Sequence, residues 1–337
     1  MYAIYRFIFV MMTTIFAIFG EPTGTIYDVP IDNEHGGDPF IVEAGYDETY
    51  YTFTTGDGIE IRKIKAYNDT TLLDKKTVLK AGKHGIEGDV WAPEIHHIGD
   101  KWYIVASARF DEKAVPKGKM PGADAGETHD DFYRYGFVLE SKTDDAFGEY
   151  VFKGYLAPDG LNNIDGTYLQ KDGKLYYVCS AYEDVAYQCI YITEMENPYT
   201  LKEGSPVVRL SAPTLYWEQK GWKVNEGPAV LYHKDDIFIV YSASGYSSDY
   251  YCMGMLTLNG RDVMKKTSWS KSLSRVCYDD TINGIYNCGH CSFLYRKNGE
   301  VYMVYHANKT KEFDDSPRLT YIEQVGFNKY GNPLFYG

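Results

Sequence analysis

The amino-acid sequence predicts an all-β protein, a five-bladed β-propeller, and two observations support that fold. The first is a short stretch that occurs five times, beginning at Asp38, Ala92, Asp165, Glu226 and His290. The second is a strand rich in aromatic and β-branched residues about ten to twelve residues after the start of each stretch. The stretches recur about every 50 to 75 residues, which is the spacing of propeller blades.

The rest of the chain agrees with paired strands. The second strands begin at Tyr50, Trp102, Tyr176, Phe238 and Tyr302. Turn residues such as Lys171-Asp-Gly-Lys174 lie between paired strands, as hairpin loops require. No amphipathic stretch of helical period is longer than a turn or two. One segment, from Asp111 to Asp131, has few apolar residues and predicts a long loop, which in a compact domain is usually functional or disordered.

Four of the five repeated stretches begin with a polar residue. The first strand of each propeller blade lies nearest the central axis, so equivalent positions of different blades face one another across a small cavity. We therefore expect Asp38, Asp165, Glu226 and His290 to converge. Each of these residues alone has an ordinary explanation as a turn, a loop carboxylate or a core histidine. Their common place in the repeat is what favours a catalytic site.

The N-terminus predicts export. One basic residue, Arg6, precedes an apolar run of about thirteen residues from Phe7 to Phe19, and Gly20 follows. This is the pattern of a secretory signal, whereas a membrane-spanning helix needs about 20 apolar residues. We predict a signal peptide over residues 1–20, a single propeller catalytic domain over residues 21–337, and a secreted, extracellular protein. The alternative is an uncleaved membrane anchor.

The net charge limits the classes of binding partner, and the cysteine content raises the question of disulfides. The formal net charge of −13 argues against nucleic acid or an anionic membrane and suits a neutral polymer. Export makes disulfides possible, although six cysteines allow fifteen pairings. Cys179 and Cys189 lie on two strands joined by a short turn and are the first pair to test, while buried free thiols are the alternative. The six cysteines are Cys179, Cys189, Cys252, Cys277, Cys288 and Cys291.

Convergent carboxylates suit the hydrolysis of a glycosidic bond with inversion. That reaction needs a carboxylic acid to protonate the leaving oxygen and a carboxylate across the sugar to activate water. A third carboxylate nearby raises the pKa of the acid by like-charge repulsion. The repeat supplies three such groups, and Trp91 is a candidate to stack on a bound sugar or, alternatively, to be a core residue.

Five motifs together resemble glycoside hydrolase family 43, whose members are secreted five-bladed propellers that invert at the anomeric carbon. The motifs follow the family's order and spacing and cover almost all of the mature chain: Gly37-Asp-Pro-Phe-Ile41, Trp91-Ala-Pro-Glu94, Ile164-Asp-Gly-Thr167, Val224-Asn-Glu-Gly-Pro228 and Gly289-His-Cys-Ser-Phe293.

The resemblance implies a role for each converging residue. It makes Asp38 the general base, Glu226 the general acid, and Asp165 the residue that orients the acid and modulates its pKa. His290 is similar to an axial histidine that helps to hold a calcium ion in the central channel through water. Calcium prefers oxygen ligands, so an imidazole acting through water is chemically reasonable. No organic cofactor is implied.

Further stretches resemble the subgroup that acts on α-1,5-linked arabinan from its end, among them Ser211-Ala-Pro-Thr-Leu-Tyr-Trp-Glu218 and the segment from Asp249 to Leu256. They imply an enzyme that removes terminal α-L-arabinofuranosyl residues from arabinan or arabino-oligosaccharides. The alternatives are a β-xylosidase or endo-arabinanase on the same fold, distinguished by whether the loop from Asp111 to Asp131 blocks one end of the cleft, and a sugar-binding propeller without activity.

The sequence departs from the family pattern at two places. Cys291 follows His290 where close members generally have Asn, and Cys288 lies three residues earlier. A disulfide between these two would be a tight, strained loop, and two free thiols would instead favour a soft metal. Near the C-terminus the family tends to carry a pair of arginines. This chain has the first of them, Arg318, and Tyr321 occupies the expected position of the second.

Overall fold

The computed structural model describes residues 30–45, 48–122, 130–184, 187–314 and 316–335. The predicted signal peptide lies outside these residues, so it and the boundary at residue 21 stay predictions. The described residues form 22 β-strands and four short 3-10 helices, with no α-helix among them. In this part of the chain no helix has the length and apolarity needed to cross a membrane.

The strands form successive antiparallel meanders. The first sheet comprises β1 (Phe40–Ala44), β2 (Glu48–Thr52), β3 (Gly58–Ala66) and β4 (Asp69–Lys80). The second comprises β5 (Ile86–Ile98), β6 (Lys101–Phe110), β7 (Arg134–Ser141) and β8 (Tyr150–Leu156). The third comprises β9 (Asn163–Lys171), β10 (Lys174–Asp184), β11 (Tyr187–Asn197), β12 (Thr200–Leu201) and β13 (Val208–Ser211).

Two more meanders follow. The fourth comprises β14 (Lys223–His233), β15 (Asp236–Ala243), β16 (Cys252–Leu258) and β17 (Trp269–Lys271), and a short parallel pairing joins β14 to β11. The fifth comprises β18 (Tyr286–Tyr295), β19 (Val301–Asn308) and β20 (Leu319–Gln324), and a small ribbon of β21 (Gly326–Phe327) and β22 (Pro333–Leu334) ends the fold. The 3-10 helices are Asp130–Tyr133, Pro158–Gly160, Tyr216–Glu218 and Lys266–Ser268.

The first strands of the five meanders contact one another in a closed ring. β1 contacts β5 and β18, β9 contacts β5 and β14, and β14 contacts β18. The all-β prediction is confirmed, and this ring is the arrangement that five propeller blades would have. Apolar side chains such as Ile59, Ile104 and Phe137 fill the space between the first and second sheets.

The beginning of the described chain completes the last meander. The backbone N–H of Ile31 donates to the carbonyl oxygen of Thr320 at 2.8 Å, and Asp32 forms an antiparallel bridge with the same residue. The hydroxyls of Tyr51 and Thr320 also lie 2.7 Å apart. Residues from both ends of the described chain therefore share one sheet edge, which closes the ring.

A residue of left-handed backbone conformation recurs in or just before each of the five inner strands. In β5, β9, β14 and β18, three residue steps oppose two on the partner strand, which is the signature of a β-bulge. The left-handed residue of each repeat is Asp38 (φ 57°), just before β1, or lies within the bulge: Ala92 (φ 48°), Asp165 (φ 54°), Gly227 (φ 52°) and His290 (φ 45°).

This pattern corrects one expectation from the sequence. Asp38, Asp165 and His290 occupy equivalent positions as predicted, but the fourth equivalent residue is Gly227, and Glu226 precedes it. Glycine adopts the left-handed region without steric cost, so the bulge falls on Gly227. Glu226 instead shares its position with Trp91, immediately before the bulge.

The bulges free backbone N–H groups that would otherwise pair in the ladder. Four of these groups donate to a side chain of the neighbouring sheet: Asp38 to His306 Nδ1 at 3.1 Å, Ala92 to Thr54 Oγ1 at 2.8 Å, Gly227 to Asp165 Oδ2 at 2.9 Å, and His290 to Ser242 Oγ at 2.6 Å. A buried backbone donor without a partner is costly, so these bonds fix four of the five left-handed residues against the neighbouring sheet.

The bulge at Gly227 yields a prediction. A Cβ at this residue would lie 3.0 Å from the Nδ1 atom of His290. Gly227→Ala should lower the free energy of unfolding by about 1–2 kcal/mol through the left-handed backbone alone and should also displace His290. Chemical denaturation and kcat measure the two effects.

The matched control is Gly173→Ala, in the turn between β9 and β10, where φ is also positive (74°) but a Cβ would meet nothing within 4 Å. We expect a comparable loss of stability with kcat unchanged. Equal kcat in the two variants would contradict the account of this bulge.

Candidate active site

One pocket of about 390 Å³ contains the polar residues of the bulges. All five sheets or the loops that extend them contribute to its wall. Its lining residues are Asp38, Thr54, Trp91, Asp131, Ile164, Asp165, Tyr182, Gln188, Trp222, Glu226, Tyr246, Tyr251, His290 and Arg318.

The structure brings together all five residues that the sequence singled out. Asp38, Trp91, Asp165, Glu226 and His290 line this pocket. The expected convergence is therefore found, although Glu226 reaches the pocket from a position one residue before its bulge. The individual roles of these residues stay predictions.

Asp38 is held as a charged carboxylate. Its Oδ2 accepts a hydrogen bond from Thr54 Oγ1 at 2.6 Å, and its Oδ1 accepts one from the guanidinium of Arg318 at 3.0 Å. The Nδ1 atom of His290 lies 3.3 Å from the same Oδ1. Burial by itself would raise the pKa of this carboxyl, but Arg318 and the neighbouring histidines hold it well below its ordinary value. An ionised Asp38 suits a general base.

His306 holds the backbone of Asp38. The ring is almost fully buried, and its Nδ1 atom accepts the bulge N–H of Asp38. Burial, followed by the charge of Arg318, lowers the pKa of His306 to about 3, so the imidazole is neutral and can accept that bond. Its ring stacks on Tyr251 with centroids 5.6 Å apart.

Asp165 links two neighbouring bulges. Its Oδ2 accepts the N–H of Gly227, and the same oxygen lies 4.0 Å from the Nδ1 atom of His290. Burial raises the pKa of Asp165 above its ordinary value, a rise that His290 opposes and the charge of Asp38 increases. The pKa of Asp165 therefore lies between those of Asp38 and Glu226. Its carboxylate is also hydrogen-bonded to the backbone beside Glu226.

Glu226 is held close to its protonated form. Burial is the main cause that raises its pKa above the ordinary value, and the charge of Asp165 is the next. The hydroxyl of Tyr251 donates to Glu226 Oε1 at 2.8 Å and acts in the opposite direction by stabilising the carboxylate. Two carboxyl groups whose pKa values are shifted in opposite directions form an acid and base pair.

His290 faces carboxylates and offers no direct calcium site. Its Nδ1 atom points to Asp38 and Asp165, and calcium would need six to eight oxygen ligands. Over the described ranges, no group of three or more His, Cys, Asp or Glu could hold a metal directly. The donor set does not fit a directly bound ion, and an ion held only through water stays a prediction.

Trp91 belongs to the pocket wall. The guanidinium of Arg134 lies 3.7 Å from the centre of its ring and covers one face. Arg134 is itself buried and paired with Asp131, Nε to Oδ1 at 2.8 Å. This cation–π contact fixes the indole, which also lines the pocket. Trp91 thus combines the two alternatives that the sequence left open, packing and access to the pocket.

The sequence missed several residues that complete the site. Arg318, doubtful from the sequence because its expected partner is replaced, contacts Asp38 directly. Tyr321 at that second position is buried and stacks against Tyr305. Tyr251 and Thr54 both lie in stretches that fit the subgroup resemblance, but the sequence assigned neither of them a role in the site.

Two glycines of the repeat make room for these side chains. A Cβ at Gly37 would lie 2.6 Å from a guanidinium nitrogen of Arg318, and one at Gly289 would lie 2.0 Å from the ring of Tyr251. Both glycines occupy the position immediately before the bulge, the position that holds Glu226 in the fourth sheet. In the fourth sheet this position therefore holds the candidate catalytic residue Glu226. In the first and fifth sheets a glycine at the same position leaves room for Arg318 and Tyr251.

Comparison with known proteins agrees with this geometry. The model of the glycosyl hydrolases family 43 matches residues 27–333. The chain belongs to this family. The predicted family and the propeller-type fold are thus confirmed.

Individual relatives share more than the fold. An "Extracellular exo-alpha-(1->5)-L-arabinofuranosidase" of Streptomyces avermitilis is 31% identical over 90% of this chain and 62% of its own length. A protein of the same name from Streptomyces chartreusis is 30% identical over 88% of this chain and 87% of its own. The crystal structure of an alpha-L-arabinofuranosidase from Lactobacillus brevis has a TM-score of 0.76 and 30% identity, covering 89% of this chain and 94% of that one. The chain thus spans less than two thirds of the first relative and most of the other two.

The electrostatics of the family 43 pocket predict a bell-shaped pH profile of kcat/KM, set by ionised Asp38 and protonated Glu226. Tyr251→Phe removes a bond that lowers the pKa of Glu226, so the alkaline limb should move to higher pH while the acid limb stays in place. We expect the maximal rate to fall about tenfold or less, the range of one hydrogen bond.

Arg318→Gln is the complementary variant, because loss of this charge raises the pKa of Asp38 and should move the acid limb to higher pH. A Tyr251→Phe enzyme whose alkaline limb coincides with that of the unmodified protein would contradict the assignment of Glu226 to that limb.

Proposed function

We propose that this protein is a secreted, inverting exo-α-L-arabinofuranosidase that removes terminal residues from α-1,5-linked arabinan or arabino-oligosaccharides. The observation that carries the proposal is the presence of Asp38 and Glu226 in one pocket with pKa values shifted in opposite directions. The names of the relatives support arabinofuranose as the sugar and support export, together with the predicted signal peptide.

The proposed reaction assigns each proton. Glu226 gives its proton to the oxygen of the leaving sugar as the glycosidic bond breaks. Asp38 takes a proton from a water molecule, whose oxygen attacks the anomeric carbon from the opposite face and inverts it. Asp165 keeps the pKa of Glu226 raised, so the acid is protonated at the start of each cycle.

The shape of the pocket favours action at a chain end. A wall that comes from all five sheets accommodates a terminal residue, whereas an endo-acting enzyme needs a cleft open at both ends. The described part of the long loop contributes to this wall. Its Lys119 and Gly122 donate backbone hydrogen bonds to Gly160 and Glu183 of the third sheet region at 2.8 Å and 2.6 Å, and Asp131 lines the pocket.

The alternatives are less well supported. A β-xylosidase or endo-arabinanase could use the same fold, but the relatives described above that are at least 30% identical are named arabinofuranosidases. A sugar-binding propeller without activity would be expected to lack one of the three carboxyl groups, and all three are present in the pocket.

Substitution of the acid and of the base tests the proposal. Glu226→Gln and Asp38→Asn should each lower kcat on arabinotriose about 10²–10⁴-fold, because each removes one proton transfer. An aryl arabinofuranoside, whose leaving group needs no protonation, should partly restore the rate of Glu226→Gln and leave Asp38→Asn slow.

The matched control is Glu203→Gln, the same chemical change at an exposed residue, which should keep the full rate. Near-normal turnover of both pocket variants would refute the proposed roles. Fast hydrolysis of xylo-oligosaccharides in place of arabinotriose would instead keep the roles and change the sugar.

The rim of the pocket suggests where the leaving chain lies. Trp222 is 45% exposed and lines the pocket just before β14, the strand that carries Glu226. Tyr246 lies edge-on to it at 6.1 Å. Because Glu226 protonates the leaving oxygen, the leaving chain lies on this side, where an exposed indole can stack on a sugar ring.

Trp222→Ala should therefore raise KM for arabinotriose by up to about tenfold, the worth of one aromatic contact, and leave a methyl arabinofuranoside unaffected. Tyr330→Ala, at an aromatic residue exposed outside the pocket, is the control. Equal effects of Trp222→Ala on the two substrates would contradict a leaving-group role for the indole.

A further inference from the structure

Two cysteine sulfurs are in contact beside the active site. The Sγ atoms of Cys277 and Cys288 lie 3.1 Å apart, and both side chains are buried. This distance is shorter than the roughly 3.5–4.0 Å optimum for unbonded carbon atoms, which are smaller than sulfur. The contact therefore needs only a small approach to become a covalent bond.

The pair that the sequence suggested lacks this geometry. Across the ladder of β10 and β11, Tyr191 lies opposite Cys179 and Ala181 lies opposite Cys189, so the two cysteines are offset by two residues. Diagonal neighbours of this kind are typically about 7–8 Å apart, beyond the usual range of a disulfide.

The backbone already holds Cys277 and Cys288 close together. The carbonyl oxygen of Cys277 accepts the N–H of Met253 in β16 at 2.9 Å, and Cys288 lies in β18. Between them, Asp280 and Ile285 exchange backbone hydrogen bonds at 2.8 Å and 3.0 Å. The two cysteines thus lie at the base of a loop whose ends meet without the bond.

We propose that Cys277 and Cys288 form a structural disulfide during export of the chain. Both S–H bonds are lost and one S–S bond forms, while an external disulfide of the glutathione class is reduced to two thiols. The hydrogen bond with Cys288, followed by burial, raises the pKa of Cys277, so the reactive thiolate is rare in the folded protein. The proposal rests on export and not on the sugar or the reaction.

The bond would join the inner strand of the fifth sheet to the segment paired with β16 of the fourth. Cys288 immediately precedes Gly289 and His290, whose positions shape the pocket. The crosslink would close the loop that carries Ile282, which is 92% exposed. Closing a loop of this size removes conformational freedom from the unfolded chain and stabilises the folded one.

Peptide mapping of the exported, full-length mature protein tests the proposal. The protein is alkylated without reduction and digested with chymotrypsin, which cuts after Tyr278 and Tyr286 and so separates the two cysteines. We expect one linked pair of peptides, with fragmentation placing the bond on Cys288 and the alkyl group on Cys291. An alkylated Cys277, or a bond from Cys277 to another cysteine, would overturn the proposal.

Thermal unfolding with and without a reductant gives a second, independent measurement. The unmodified protein and the control Cys179→Ala should each lose several degrees in Tm when reduced, whereas a variant with both Cys277→Ala and Cys288→Ala should show no such loss. A double variant as sensitive to reductant as the unmodified protein would overturn the proposal. If the double variant does not fold, the peptide map of the unmodified protein decides.

Discussion

The left-handed residue in or just before each inner strand is the constraint on which the rest of the structure depends. Each bulge turns one residue of the repeat toward the pocket and frees a backbone N–H, and four of these groups bond to a side chain of the neighbouring sheet. Where that side chain is Asp165, one carboxylate both fixes the bulge beside Glu226 and raises the pKa of the acid. The hydrogen bond from Gly227 to Asp165 thus holds two sheets together and also fixes a carboxylate that helps to raise the pKa of Glu226.

The pocket places Asp38 and Glu226 in opposite electrostatic environments. Asp38 contacts a guanidinium and two histidines, whereas Glu226 is buried near another carboxyl group and receives a single hydroxyl hydrogen bond. Burial alone would favour the neutral form of both. The difference between the pKa values of Asp38 and Glu226 therefore depends on Arg318, which is 280 residues from Asp38 along the chain and donates a hydrogen bond to its carboxylate.

The sequence predicted the all-β class and the convergence of the polar residues because both follow from a local repeat. It misplaced Glu226 by one step, because the position of a bulge depends on which residue tolerates a left-handed backbone, and Gly227 tolerates it best. It could not indicate Thr54 or His306, whose roles arise only from contacts with distant strands. The cysteine contact was missed for the same reason, since Cys277 lies outside the repeat and reaches Cys288 through the loop.

The stereochemistry of the first product tests the central claim most directly. Proton NMR of the purified mature protein acting on linear α-1,5-arabino-oligosaccharides follows the anomer before it equilibrates in water. The account predicts free arabinose from the outset, released as the β-anomer, because water activated by Asp38 attacks opposite the bond that Glu226 protonates. Initial release of the α-anomer, or of shorter oligosaccharides without arabinose, would contradict it.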